Sequence, residues 1–425
     1  MQQICPLASV DRRLADALRL WNAAREAYFD PDLFRTNAQS AIQALRSVTW
    51  ILQKEKAKLS NFDTWYGARQ TAMKANPVLR WLVDARNRIE KQGDLETQST
   101  VRTTIYSGWL DSKVVDTKLP PSYTSATLAK TLGKNLGKRG YEDGTVIRIE
   151  RRWVDSELPD FEILDALVRA YEFLQILVFE AHGLLSAPVA GVCTLHDQLA
   201  SSNFVLPAEM LHPFARHQWL DARAGIPINI DYSQRGSTKA ELIEQAAERY
   251  EPEPDTPKSN RFRDECVYFF SRGRAILQAD GFHISTALID RGAQSQIVQF
   301  TPRTRAEKHA YMRDIAEFCL RINANSVMLI GEIWTATFPV GAPQKFLHAV
   351  DAPERGEALA LTALNRAGQC IEITAPFTRM DGKIVFGPDE VHESRWPNML
   401  APFREAFGIA PNLSVPVGAA APPSA

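Results

Sequence analysis

Arg46, Arg86 and Asn87 are the residues of the N-terminal part whose types suit a chemical task. A guanidinium presents a planar fork of donors to a phosphate, and a neighbouring amide adds a further polar contact. In the C-terminal part, His283, Asp290, Glu332 and Arg303 supply imidazole, carboxylate and guanidinium groups, with Asp280 and Glu372 as further acids. Such a set suits acid/base work, or a divalent metal held beside a phosphate. Each residue also has a plainer role. Arg46 sits at the edge of an apolar helical face, where its stem can lie along the core. Arg86 has Glu90 four residues on, the spacing of a same-face ion pair. Glu332 lies in the apolar run Ser326–Trp334, and a buried carboxylate needs a partner, for which Arg303 and Arg379 are candidates.

Several familiar chemistries are missing. His212 and His217 are five apart and do not make an HExxH site; there is no HxH pair and no Gly-x-Ser-x-Gly elbow. Lys130, Lys134, Lys138 and Arg139 surround Gly133, Gly137 and Gly140 without completing a P-loop, so a solvated basic surface is expected. Cys5, Cys193, Cys266, Cys319 and Cys370 are far apart and odd in number, which fits free, structural thiols in a reducing compartment. His182 is expected to pack or make a polar contact at a helix end. No cofactor is identified, and a divalent metal enters only with a hydrolytic reading.

The elements that position the N-terminal residues are helices. Leu14–Phe29 reads as one, stopped by Asp30-Pro31-Asp32. Ile42, Leu45, Thr49 and Leu52 then recur at helical spacing, as do Val78, Leu82, Ala85 and Ile89 after Asn76-Pro77, with Gly93-Asp94 as a stop. Phe161–Leu185 has a broad apolar surface suited to a central helix. Such helices with aromatic inserts indicate a bundle.

Residues 37–97 resemble the HEPN family, helical-bundle proteins that often dimerise and include metal-independent ribonucleases. Their characteristic element is Arg, commonly followed by Asn or another polar residue, then four to six residues and His. Arg86-Asn87 matches its beginning, whereas Lys91, Gln92 and Gly93 stand at the His positions, and the first histidine of the chain is His182. The resemblance implies a bundle, a dimer and an RNA partner. Without the imidazole, Arg86 retains only the phosphate-binding share of that chemistry.

The 425 residues carry 49 basic and 50 acidic side chains, a formal net charge of -1, so no global field recruits nucleic acid or an anionic membrane. Met1–Val10 lacks the pattern of a signal peptide, and no apolar run reaches the roughly 20 residues of a membrane span. Glu251-Pro252-Glu253-Pro254-Asp255-Thr256-Pro257 marks the main break. Beyond it, a helix over Arg261–Gln278, strands near Phe282–Ile289, Ile297–Phe300, Ser326–Trp334 and Lys383–Phe386, and a hairpin around Asn365–Gly368 make a mixed layer.

The expected architecture is multidomain: a mainly α-helical N-terminal bundle and a C-terminal mixed α+β or α/β domain. The expected divisions are a helical domain over 1–250, with a small subdomain around 99–160, a linker at 251–260, a sheet-helix domain over 261–410 and a flexible tail at 411–425. The leading functional reading is a cytoplasmic interaction or sensory scaffold, with a homodimer or protein partner and no membrane. The alternative is an RNA or DNA phosphodiesterase, using a degenerate HEPN-like site or a metal held by C-terminal carboxylates.

Overall fold

The computed structural model describes residues 5–95, 97–118, 122–134, 141–185, 207, 210, 216–230, 233–234, 249–251, 261–292, 295–336, 349–393 and 396–409. It divides into two compact units: residues 1–105, 113–141 and 147–227 form the first, and 106–112, 142–146 and 228–425 the second. Proline-rich 252–260, the stretch 239–248, whose composition suits a helix, and the tail after Ile409 lie outside the described residues.

The first unit is built on α1 (Ala8–Glu26), α2 (Pro31–Lys54), α3 (Phe62–Ala75), α4 (Pro77–Gln92) and α6 (Ile163–Gly183). Helix starts follow the capping signals in the sequence. Asp30 accepts from the backbone N–H groups of Asp32 and Leu33, and Asn76 from those of Val78 and Leu79. In both helices proline takes the first position, where a missing N–H costs nothing. At α4's end Gly93 takes φ 105°, which only glycine adopts readily. Helix α2 packs on α1, α4 and α6, burying Phe34, Ile42, Leu45, Val48 and Leu52.

A five-stranded sheet completes this unit, in the order β2 (Ser112–Lys118), β1 (Thr97–Tyr106), β3 (Val146–Asp155), β4 (His217–Asp221), β5 (Ile226–Ile228). Ser99–Trp109 fits strand or short helix by periodicity, and it is largely strand: its Thr, Val and Ile residues suit a pleated surface. Helix α5 (Ser125–Lys134) contributes Leu128 and Ala129 to a small core with Ile147 and Ile149. On β3 the alternate residues Ile147, Ile149, Arg151, Trp153 and Asp155 are all buried, so one strand face carries two charges into the interior.

The second unit is an antiparallel sheet in the order β12 (Lys383–Phe386), β11 (Cys370–Met380), β10 (Gly356–Asn365), β9 (Ser326–Thr335), β7 (Thr286–Asp290), β8 (Ser295–Gln299), β6 (Ser233–Gln234), with β13 (Glu390–Glu393) also paired to β11. Helix α7 (Phe262–Asp280) shares a core with Met328, Ile330, Leu359 and Leu361. Helices α8 (Arg305–Arg321) and α9 (Ala401–Ala406) share another with Val327 and Leu329. Both faces of β9 are therefore covered, which accounts for its continuous apolar run. Helix α7 approaches closely through Gly273, where an added Cβ would lie 2.3 Å from Ile330 Cδ1.

The architecture is thus a helix-rich N-terminal region followed by a mixed α/β region. Among the described residues, no helix is long and apolar enough to cross a membrane.

Candidate anion-binding face of the helical unit

Helix α2 presents Arg46 and Trp50 one turn apart, and α4 brings Arg86 to the same place. The Arg86 guanidinium lies 5.0 Å from the centre of the Trp50 ring and that of Arg46 6.0 Å. Trp50 is 51% exposed, unlike the buried tryptophans of the core. Two residues 40 positions apart in the chain, read separately as phosphate binders, therefore converge on one aromatic ring.

Their other contacts differ. Arg86 pairs with Glu90 at 2.8 Å and donates to Asn87 Oδ1 at 3.2 Å, so Asn87 belongs to the same cluster. Arg46 donates to Thr49 Oγ1 at 2.6 Å. No carboxylate among the described residues forms an ion pair with it. Burial lowers the pKa of its guanidinium, with Tyr66 acting against that shift and the charge of Arg86 adding to it. Two guanidiniums facing one ring favour an added anion.

Arg46 also lines a pocket of about 420 Å³, together with Thr49, Gln53, Tyr66, Met73 and Asp84. Gln53 Nε2 donates to the Tyr66 hydroxyl at 3.0 Å, fixing the polar wall beside Arg46.

The C-terminal residues do not converge as one set: His283 and Glu332 meet, whereas Asp290 and Arg303 do not join them. Glu332 on β9 accepts from the backbone N–H of His283 at 2.6 Å, and its other oxygen pairs with Arg379 at 2.7 Å. Arg379 also meets Glu357 at 3.2 Å. Of the two arginines suggested for Glu332, Arg379 is thus the partner, and it occupies the oxygen a metal would need. Asp290 is at the opposite end of β7, opposite Ser326, where it accepts from the Gly292 N–H and the Asn325 side chain. Arg303 precedes α8, its backbone N–H donating to Glu307, while the Thr304 hydroxyl accepts from the Glu307 N–H. That reciprocal pair is a capping device. A metal shared by His283, Asp290 and Glu332 has no geometric basis, because strand spacing of about 3.3 Å per residue separates the ends of β7.

His283 is buried beside Gly273, and burial lowers the pKa of its imidazole against a smaller backbone hydrogen bond at Ile284. The unfolded chain therefore takes up this proton first. The contribution to stability is full above about pH 6.5 and is lost as pH falls from there through the folded value. The urea midpoint is expected to drop between about pH 7.5 and about pH 5.5, and His283→Leu to flatten part of that drop. An unchanged slope in the variant would assign the titration elsewhere.

One set of ligand types is gathered where spacing gave no signal: Cys5, Asp11 and His182, each offering an atom within 4.8 Å of the others. Burial pushes the thiols of Cys266, Cys319 and Cys370 up to about 12, which keeps them protonated and inert. His196, His212 and Cys193 lie outside the described residues.

Comparison with known proteins places the chain. No solved structure matches it. Protein ea47 of Escherichia phage lambda is 26% identical over 330 residues, covering 76% of this chain and 78% of that protein. The family model for bacteriophage lambda protein ea47 matches residues 1–414, nearly the whole length, and the chain belongs to that family.

Proposed function

We propose that the helical unit binds single-stranded nucleic acid, with Trp50 stacking on a base and Arg46 and Arg86 taking flanking phosphates. The observation that carries this reading is the exposed indole with two guanidiniums within 6.0 Å of its ring centre, one of them without a carboxylate partner among the described residues. Stacking on an aromatic face tolerates any base and contributes about 1–3 kcal/mol, while arginines track the backbone. The formal charge of -1 makes this a local device rather than a field of the whole molecule.

Anisotropy of a labelled oligonucleotide tests the reading. Trp50→Ala is expected to weaken binding by roughly 5-fold to 150-fold, the equivalent of one lost stack. Arg86→Ala is expected to reduce the slope of log affinity against log salt by about 0.7, one single-strand phosphate. Trp50 is exposed and Arg86 is partly buried beside the exposed Glu90, so circular dichroism is the check that each variant keeps its fold. Wild-type affinity in Trp50→Ala would remove the proposed site. Absence of oligonucleotide binding, with a protein partner lost on the same substitution, would favour the interaction-scaffold reading.

A second reading, phosphodiester hydrolysis, is favoured by the presence of a metal-ligand set in the same unit. Metal-dependent cleavage of the labelled strand would support it; intact strand in saturating metal would leave a binding role.

A further inference from the structure

The geometry points to a zinc site formed by Cys5, Asp11 and His182, independent of whether nucleic acid binds at Trp50. Cys5 lies three residues before α1, Asp11 stands in its first turn, and His182 in the last turn of α6. The site would tie the beginning of the helical unit to the end of its central helix.

Three separations carry the inference. Cys5 Sγ lies 3.5 Å from His182 Nε2 and 3.6 Å from Asp11 Oδ2, and the latter two atoms are 3.3 Å apart. Zinc holds thiolate at about 2.3 Å and imidazole or carboxylate at about 2.0–2.2 Å, in tetrahedral geometry. Those lengths put the sulfur-to-nitrogen and sulfur-to-oxygen edges at about 3.5–3.7 Å and the nitrogen-to-oxygen edge at about 3.3–3.5 Å. All three separations match the edges of one tetrahedral face. Thiolate with imidazole also selects zinc over magnesium or calcium, which take oxygen sets.

Proton placement supports the same occupant. His182 Nδ1 is 2.8 Å from the Val178 carbonyl oxygen, which only accepts, so the ring proton sits on Nδ1. In the neutral ring Nε2 is then a lone pair turned toward a carboxylate oxygen, itself an acceptor. The single thiol proton of Cys5 cannot satisfy both contacts, whereas a cation at the centre satisfies all three atoms. A backbone carbonyl holding the remote imidazole nitrogen is also the usual support of a zinc-bound histidine. Asp11 Oδ1 is buried with no hydrogen-bond partner among the described residues, so the carboxylate's second oxygen is not committed elsewhere. No fourth histidine, cysteine, aspartate or glutamate of the described residues joins the set.

The main competitor is a metal-free imidazolium paired with Asp11 beside a protonated thiol. Metal analysis separates the two. Full-length protein without a histidine tag, loaded with zinc and dialysed, is expected to retain about one zinc per chain. Cys5→Ser and Asp11→Asn are expected to cut retained zinc at least about tenfold at equal concentration. With cobalt in place of zinc, the wild type should show a thiolate-to-cobalt charge-transfer band that Cys5→Ser abolishes. Since both substitutions alter short polar groups at the start of α1, a native circular-dichroism spectrum is the check on folding. Wild-type protein that retains no zinc, or Cys5→Ser that retains it fully, would overturn the assignment.

Discussion

Trp153→Ala is expected to lower the stability of the helical unit by about 3–5 kcal/mol, the range for emptying a large aromatic site in a core. Trp153 is 1% exposed and stacks on Phe34, with ring centres 4.6 Å apart and planes 14° from parallel. Its indole N–H donates to the Tyr28 carbonyl at 2.9 Å. The Tyr28 hydroxyl in turn donates to the Arg151 carbonyl at 2.8 Å, and the Arg151 guanidinium covers the indole at 4.0 Å. Truncation therefore opens a cavity, removes a donor from a buried carbonyl and uncovers a buried cation together. Phe34 sits in the first turn of α2, the helix that presents Arg46 and Trp50. Circular dichroism through a urea titration gives the measurement. A loss below about 1 kcal/mol would mean that the site collapses and that Trp153 does not anchor β3 to α2. Trp153→Phe, which keeps a ring for the stack, should recover part of the loss.

The local order of this molecule was legible where one short stretch carries the whole signal. Asn76-Pro77 announced the start of α4, and the spacing of Ile42, Leu45 and Leu52 marked the buried side of α2. The apolar run of β9 showed a covered strand, and the carboxylate inside it showed that Glu332 needs a cation; Arg379 supplies it from the second strand over. What stayed hidden depends on pairs brought together only by folding. Cys5 and His182 are separated by 177 positions, so no motif spacing links them. Helical periodicity identified Arg46 as the edge of an apolar face but is silent about which helix lies alongside, and hence about Arg86. The exposure of Trp50 has no signature in the sequence for the same reason: in a bundle rich in aromatic residues, only the packing decides which ring faces outward. Conversely, residue types alone group His283, Asp290 and Glu332, because composition carries neither strand direction nor register. The register Asp290 to Ser326 and Thr286 to Ile330 keeps His283 and Glu332 at one end and puts Asp290 at the other.

The same helix contrasts an arginine paired with a fully buried carboxylate and one paired with an exposed carboxylate. Arg88, two residues beyond Arg86, donates to Asp155 Oδ2 at 2.9 Å, and the Asp155 side chain is 0% exposed. Arg88→Ala leaves that carboxylate buried, with the Glu157 N–H at 2.8 Å on its other oxygen as its remaining close donor. Breaking a buried pair from one side costs about 3–5 kcal/mol, so a loss of that order is expected in the urea titration. Adding Asp155→Asn should restore much of it, because the amide oxygen still accepts from Glu157 while the unpaired charge is gone. Arg86→Ala, by contrast, takes a comparably buried arginine from a pair whose carboxylate, Glu90, is 42% exposed and stays hydrated, and is expected to cost less than about 1 kcal/mol. Equal losses for the two single substitutions would contradict the division of labour along α4. A large loss in Arg88→Ala that Asp155→Asn fails to relieve would show that packing of the arginine stem, and not the orphaned carboxylate, sets the cost.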